Sequence, residues 1–515
     1  MPIRGSIGLL YLSTALAAFA AADPGRWIPA RWDGGPLEIA RRTGDQAFSD
    51  SASREAAAKW LSPASLDLLA GTPVNCLLVT FSGAAEPLVL KQQQALVKEF
   101  ARLARDRGIA VLGVVYPGSN PAAAAQASKE TGLDGLVLDG DFPASFTGEL
   151  ASALHAIGSP ASVIPIARDP SVGRTGSAAV VAVQGVTPGA RNLADSGIRA
   201  GASAEPWIDS NVWLVRSFRV GSAWRPVWIN AQQSKGASAT DYLRSVADGA
   251  VGGGRWIVSL DDDLRVKLFR KDPKGLETWG GIARYLNFAE GHAEWRNNAP
   301  FGNLGIVVDT AGQHTDLSDE YLNLSTRRHA PYRIIPRSEL TASVLETYRV
   351  VMAFDLAPPS AAERKILCDF AERGGLVLAG PSWGNPPNEE SYAEVSLGKG
   401  RVAVYREDPP DAEGAAKDLA DLMDPEVMGL TVFNTPSSIT DVSTDASGKR
   451  VVIQLLCYAD YPGERVTVRF NGNFKSARMF SPDGPVVELK PEPAAKDRTE
   501  VLIPKPARWS ALILE

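Results

Sequence analysis

Between Arg31 and Pro300 one pattern recurs: a short apolar run rich in β-branched residues, then a stretch with helical periodicity. The runs are Pro36–Ile39, Cys76–Phe81, Val111–Tyr116, Gly135–Leu138, Val163–Ala167, Val180–Gln184, Pro226–Asn230 and Trp256–Leu260, which makes eight. Helical periodicity fills most of the gaps, at Glu55–Leu69, Leu88–Arg107, Ala122–Thr131, Gly148–Ile157, Asn211–Phe218, Tyr242–Ala247 and Leu276–Trp295. Strands that alternate with helices pair in parallel, because each helix carries the chain back across the sheet. Eight such units over residues 30–300 fit a (β/α)8 TIM barrel, typically about 250 residues long. An open doubly wound sheet is the alternative reading of the same alternation.

Two further segments follow. From Gly302 to Gly380 the chain reads NLGIVVDT, HAPYRIIPRSEL and YRVVMAFDLAPPSAAERKILCDFAERGGLVLAG, a second and smaller parallel α/β unit assigned to residues 301–403. Beyond it, RVVIQLLCYAD, RVTVRFNG, SARMFSPDG and TEVLIPKPARWSALILE alternate with period two between Pro-Gly and Asp-Gly turns. That pattern predicts a small C-terminal antiparallel β-sandwich over residues 404–515.

The stretches HAPYRIIP, YRVVMAFD and FAERGGLVLAG resemble the flavodoxin-like, class I glutamine-amidotransferase-like domain that follows the catalytic barrel in family 42 β-galactosidases and related glycoside hydrolases. The last segment is similar to the β-domain that closes many barrel glycosidases. The resemblance implies a carbohydrate substrate, no cofactor, and subunit contacts through the amidotransferase-like domain, hence a homo-oligomer. It does not carry over the amidotransferase nucleophile, since Cys368 falls inside a helical segment, ILCDFAERGG. A G-x-S-x-G string at Gly380–Gly384 follows a strand, but Asn385-Pro386-Pro387 block the helix that a nucleophile elbow requires.

Composition excludes other classes. A net charge of −6 over 515 residues, with Lys and Arg scattered, leaves no nucleic-acid footprint and no basic membrane patch. At the N-terminus, Arg4, the apolar run Ile7–Ala18 and the small-x-small string Ala18-Phe19-Ala20 read as a cleaved signal peptide over residues 1–22. Export to the periplasm or the extracellular space is the expectation, with no membrane span after removal of the leader. Cys76, Cys368 and Cys457 show no metal spacing, and His155, His292, His314 and His329 are dispersed, so no metal site is expected.

Chemistry in such a barrel collects where strands end. The fourth run ends in Asp139-Gly140-Asp141, two carboxylates at i and i+2 that leave the strand on one side. This string also resembles retaining α-glycosidases that carry an aspartate nucleophile after the fourth strand, and Asp139 is the matching residue. The alternative reading is a strand-to-helix turn in which Asp141 caps the helix while Gly140 bends the chain. Between the sixth and seventh strands, PWIDSNVWLVRSFR offers Trp207 and Trp213 as sugar platforms and Asp209 and Asn211 for hydroxyls. The same residues also read as a helix start capped by Asp209-Ser210, with Trp213 packed onto the barrel. Further strand ends supply Tyr116, Arg168, Gln184, Asn230 and Asp261. The catalytic candidates are therefore Asp139, Asp141 and Asp209. The β-galactosidases resemble other barrel hydrolases in using a glutamate after strand four and another after strand seven, where this chain has Asp139 and the amide Asn230. Either another carboxylate completes the pair, or the barrel binds sugar without cleaving it.

Overall fold

The computed structural model describes residues 23–515 except 45–47, 49, 169–178, 192–206, 221–224, 310–315, 385–391, 408, 410–411, 424 and 496. The signal-peptide segment, 1–22, thus lies outside the described residues. The chain divides into two compact units. One holds the residues up to Thr187 with Arg225–Val246 and Gly254–Gly291, and the other holds Pro188–Trp224, Ala247–Gly253 and His292–Glu515.

The first unit is a nearly closed parallel barrel. Its strands, in spatial and chain order, are β1 (Pro29–Arg31), β2 (Cys76–Ser82), β3 (Ala110–Val115), β4 (Gly135–Leu138), β5 (Ser162–Ala167), β6 (Val181–Gln184), β7 (Val227–Asn230) and β8 (Arg255–Trp256). The ring is completed just past β8, where Ala30 bridges Val258 in parallel and Arg31 N–H donates to the Val258 carbonyl at 2.8 Å. Alternate strand residues face inward, as the period of two dictates. Cys76 and Leu78, Ala110, Leu112 and Val114, Ile164 and Ile166, with Trp228, form one buried cluster. A barrel of this size fills its interior with side chains, so function is left to the rims.

The predicted first strand is displaced. Pro36–Ile39 is the first turn of a helix, Pro36–Gly44, and the strand lies earlier, at Pro29–Arg31. Pro36 opens the helix and Glu38 sits in its first turn, both ordinary helix-start features. The predicted helix Glu55–Leu69 is likewise two helices, Ser51–Lys59 and Pro63–Asp67, separated at the Ser62-Pro63 step.

In the second unit a six-stranded sheet runs in the order Tyr332–Pro336, Leu304–Val308, Val350–Ala353, Leu376–Ala379, Gly400–Tyr405, Tyr392–Leu397. Its strands are parallel except the last, which is antiparallel at the edge. Apolar clusters cover both faces, Ile306, Met352 and Leu378 on one and Val307, Val351 and Val377 on the other. Burial on both sides explains why these strands read as unbroken apolar runs. The helix Ala412–Leu422 adds Ala415, Ala416 and Leu419 to the first of those clusters. Three antiparallel sheets, of six, four and two strands, are also present, and Leu430, Val442, Ile453, Val468, Val501 and Leu512 from the larger two share a single apolar cluster.

Candidate active site at the barrel mouth

The residues following β1 dominate the C-terminal rim. Arg31 ends the strand and is 3% exposed, Asp33 follows, and the helix Pro36–Gly44 presents Glu38, Arg41 and Arg42. Arg31 Nη2 pairs with Asp139 Oδ2, while Nη1 lies 3.5 Å from Asp33 Oδ2. One guanidinium thus bridges the first and fourth strand ends. Burial alone would lower the Arg31 pKa, but Asp33, Tyr116 and Asp139 outweigh it, so the group sits above the ordinary arginine value and stays charged.

A second layer surrounds this bridge. The Thr80 hydroxyl, from β2, lies 2.9 Å from Glu38 Oε2 and 3.2 Å from Asp33 Oδ1. It has one proton to donate between two carboxylates. Arg41 Nη2 contacts both Glu38 oxygens at 3.1 Å, and its guanidinium stacks over the Tyr116 ring, 4.4 Å from the centroid. Arg42 grips Asp262 with two hydrogen bonds, at 2.9 and 2.6 Å. Tyr116 is buried at the end of β3, and its hydroxyl has no hydrogen-bond partner among the described residues. Burial, followed by the nearby Asp33 carboxylate, holds the phenol above its usual range, so it remains a neutral hydroxyl.

This network borders a cavity of about 460 Å³ whose lining includes Arg31, Asp33, Glu38, Lys235, Asp262 and Arg265. Such a volume is in the usual range for a small-molecule site.

The sequence-derived candidates distribute unevenly. Asp139 and Tyr116 belong to the network, and Asp139 keeps Oδ1 free of hydrogen bonds among the described residues. Asp261 lines the cavity but is fully engaged, accepting from the Tyr242 hydroxyl at 2.9 Å, Leu264 N–H at 2.8 Å and Gly236 N–H at 2.8 Å. It is the N-cap of the helix Asp262–Phe269. Gln184 and Asn230 pair with each other across β6 and β7, the Asn230 amide donating at 2.8 Å. Asp141 is 82% exposed and pairs with Arg168, itself 57% exposed.

The aromatic segment belongs to the second unit. Trp207 and Asp209 lie on the strand Trp207–Asp209, paired antiparallel with Gly189–Arg191. Asn211 is buried, and its side-chain amide donates to Asp248 at 2.8 Å. Trp213 packs against the apolar cluster of the six-stranded sheet. Trp213 is thus a packed side chain, but the expected packing onto the barrel is corrected: its neighbours belong to the second unit.

Arg31, Asp33, Glu38, Arg41 and Arg42 were not among the sequence candidates, because the displaced first strand moved the strand end past them. The signal was present: proline followed two residues later by glutamate marks a helix start, which puts the preceding Ala30-Arg31-Trp32-Asp33 at a strand end.

A scan against protein-family models matches none, and a search of curated proteins likewise finds no match. Among solved structures, the α-L-fucosidase isoenzyme 2 from Paenibacillus thiaminolyticus is similar with a TM-score of 0.56 at 12% identity, covering 88% of this chain and 96% of that one. The exo-β-1,4-mannosidase Op5Man5 from Opitutaceae bacterium strain TAV5 gives 0.47 at 11% identity, over 79% and 97% of the two chains. A β-galactosidase from Bacillus circulans sp. alkalophilus gives 0.35 at 11%, over 83% and 68%. At these identities the likeness to the fucosidase is one of fold. The chain is an α/β protein with a nearly closed eight-stranded parallel barrel and additional β-sheets.

Proposed function

We propose that this protein is an exported glycoside hydrolase acting on an oligosaccharide or glycoside, with Asp139 as nucleophile and Asp33 as the second carboxylate. The observation that carries this reading is Arg31, a buried guanidinium that joins Asp139 to Asp33 beside an open polar cavity. Two carboxylates on one guanidinium are no farther apart than the roughly 10 Å upper limit for a pair acting across a glycosidic bond. Asp141 and Asp209 become secondary candidates, the first for its exposure and the second for its place in the other unit. The fold of the fucosidase supports the reading as analogy only. Export rests on the leader-like N-terminus, and mass spectrometry of the secreted chain would test it. No described helix is long and apolar enough to cross a membrane. A flavodoxin-like reading of the six-stranded sheet and a sandwich reading of the last two sheets complete the glycosidase-type architecture, with a homo-oligomer formed through the former.

A panel of aryl α- and β-glycosides tests the activity. Turnover that falls at least about 10³-fold in both Asp139→Asn and Asp33→Asn, with the fold retained, is the expected result. The rival reading, a sugar-binding protein without catalysis, is favoured by the Gln184–Asn230 amide pair where a strand-seven carboxylate would stand. Sugar binding with no turnover of any glycoside would establish that rival.

A further inference from the structure

The cavity at the barrel mouth is unequal in its charges. Each lining carboxylate is already engaged: Asp33 with Arg31 and Thr80, Glu38 with Arg41 and Thr80, Asp261 with three donors, and Asp262 with Arg42. Of the lining cations, Arg31 and Arg42 are likewise paired, but three others keep donors open. Lys235 is exposed at the cavity and has no partner among the described residues. Arg41 binds Glu38 only through Nε and Nη2, which leaves Nη1 open. Arg265 uses Nη1 on the Asp33 carbonyl at 3.3 Å and makes no hydrogen bond through Nη2.

A neutral sugar offers hydroxyls that both donate and accept, and it is best served by free carboxylates and an aromatic platform. Here the carboxylates are occupied, and Phe48, the aromatic ring in the lining, is covered by the Arg42 guanidinium at 4.1 Å. A cavity with open cationic donors and closed anionic acceptors suits a group that only accepts hydrogen bonds.

From this imbalance we propose that the barrel-mouth site recognises a sugar bearing an anionic substituent, a carboxylate, sulfate or phosphate, held by Lys235, Arg41 and Arg265. The inference rests on the glycoside reading of this cavity and specifies its substrate class. Guanidinium groups hold such anions by directed, charge-assisted hydrogen bonds, and the Lys235 ammonium adds a point charge.

The test is calorimetric titration of the full chain with methyl β-D-glucuronide, glucose 6-sulfate, glucose 6-phosphate and, as the neutral reference, methyl β-D-glucoside. At least one charged ligand should bind about tenfold or more tightly than the reference, and its identity distinguishes the three anions. That preference should shrink with added salt and fall about tenfold in Lys235→Gln, whose exposed position leaves the fold intact. Equal or better binding of the neutral sugar, no binding of any charged probe, or an unchanged preference in Lys235→Gln overturns the inference. The two readings fail separately. Charged ligands bound without turnover of any aryl glycoside retain the anion site and remove the hydrolase. Asp139-dependent turnover of neutral glycosides with no preference for charge does the reverse.

Discussion

The barrel and the six-stranded sheet are both parallel βα assemblies, and both gather polar side chains at the C-terminal ends of their strands. What they do with them differs. In the sheet, Asp309, Arg337 and Glu363 close on one another, with Arg337 Nε 2.7 Å from Glu363 and Nη1 3.6 Å from Asp309. Asp355 accepts from Ser318 N–H at 2.9 Å and so holds a helix start. The space beside Arg337, Ser382 and Trp383 is only about 10 Å³, near the minimum for one water. In the barrel the corresponding ends enclose about 460 Å³. Strand-end charge is thus compatible with two outcomes, a closed structural clasp or an open mouth. Only space around the charges separates a site from a cap.

The sharpest way to break this contrast is to remove the central cation of each region. Arg31→Met should cost about 3–5 kcal/mol, because it strands two mostly buried carboxylates, whereas Arg337→Met should cost about 1 kcal/mol or less. Equal losses in chemical unfolding would erase the distinction. Acid should act on the second unit through His329, whose pKa burial pushes down to about 4 from 6.5. Its folded pKa lies below its unfolded one, so stability is full above about pH 6.5 and declines as the pH falls toward 4. The loss is up to about 3 kcal/mol, an upper bound for a partly exposed ring. Unfolding curves for His329→Gln at pH 7 and pH 5 should show that dependence flattened.

Smaller effects sharpen the picture of the clasp. Gly380→Ala should destabilise by about 1–3 kcal/mol, since a Cβ there would overlap the Phe354 carbonyl; a thermal shift within error contradicts that. Glu363→Gln should cost about 1 kcal/mol. It weakens the pairing with Arg337 and, after it, the capping box with Ser360, which together hold the Glu363 pKa down to about 2. This contribution is present above the ordinary glutamate pKa of about 4.3 and disappears as the pH falls toward 2. Asp141→Asn should change stability by less than about 0.5 kcal/mol, its ion pair being exposed. A large fall in turnover from that variant would reinstate Asp141 as a catalytic group.

Six of the eight barrel strands were legible because each is an apolar run of four or more residues, as in Cys76–Ser82, with helix-start prolines such as Pro87 and Pro121 between them. Gly380-Pro381-Ser382 opens no α-helix: Pro381–Trp383 is a single 3-10 turn ended by Gly384 at φ 141°, and Asn385-Pro386-Pro387 lie outside the described residues. The first strand was not legible, since three residues, Pro29–Arg31, are too few to show a period. Asp139 and Tyr116 could be named from strand ends alone. Their partners could not, because Arg31 and Asp139 are 108 residues apart and Arg42 and Asp262 are 220 apart, separations that only the closed ring brings together. Trp207 and Trp213 illustrate the converse difficulty, since aromatic content does not reveal which unit a side chain will pack into.

The closure at Ala30–Val258 has a kinetic consequence. The strand that carries Arg31 is three residues long and acquires its second neighbour only when the chain has run around the whole ring. Contacts of such long sequence separation form late, after the loop entropy of every intervening unit has been overcome. A barrel folded through its first seven strands but still unsealed would have most of its core and no competent mouth. The ligand binding proposed for the mouth would therefore gauge the last step of folding, appearing only as the two ends of the barrel meet.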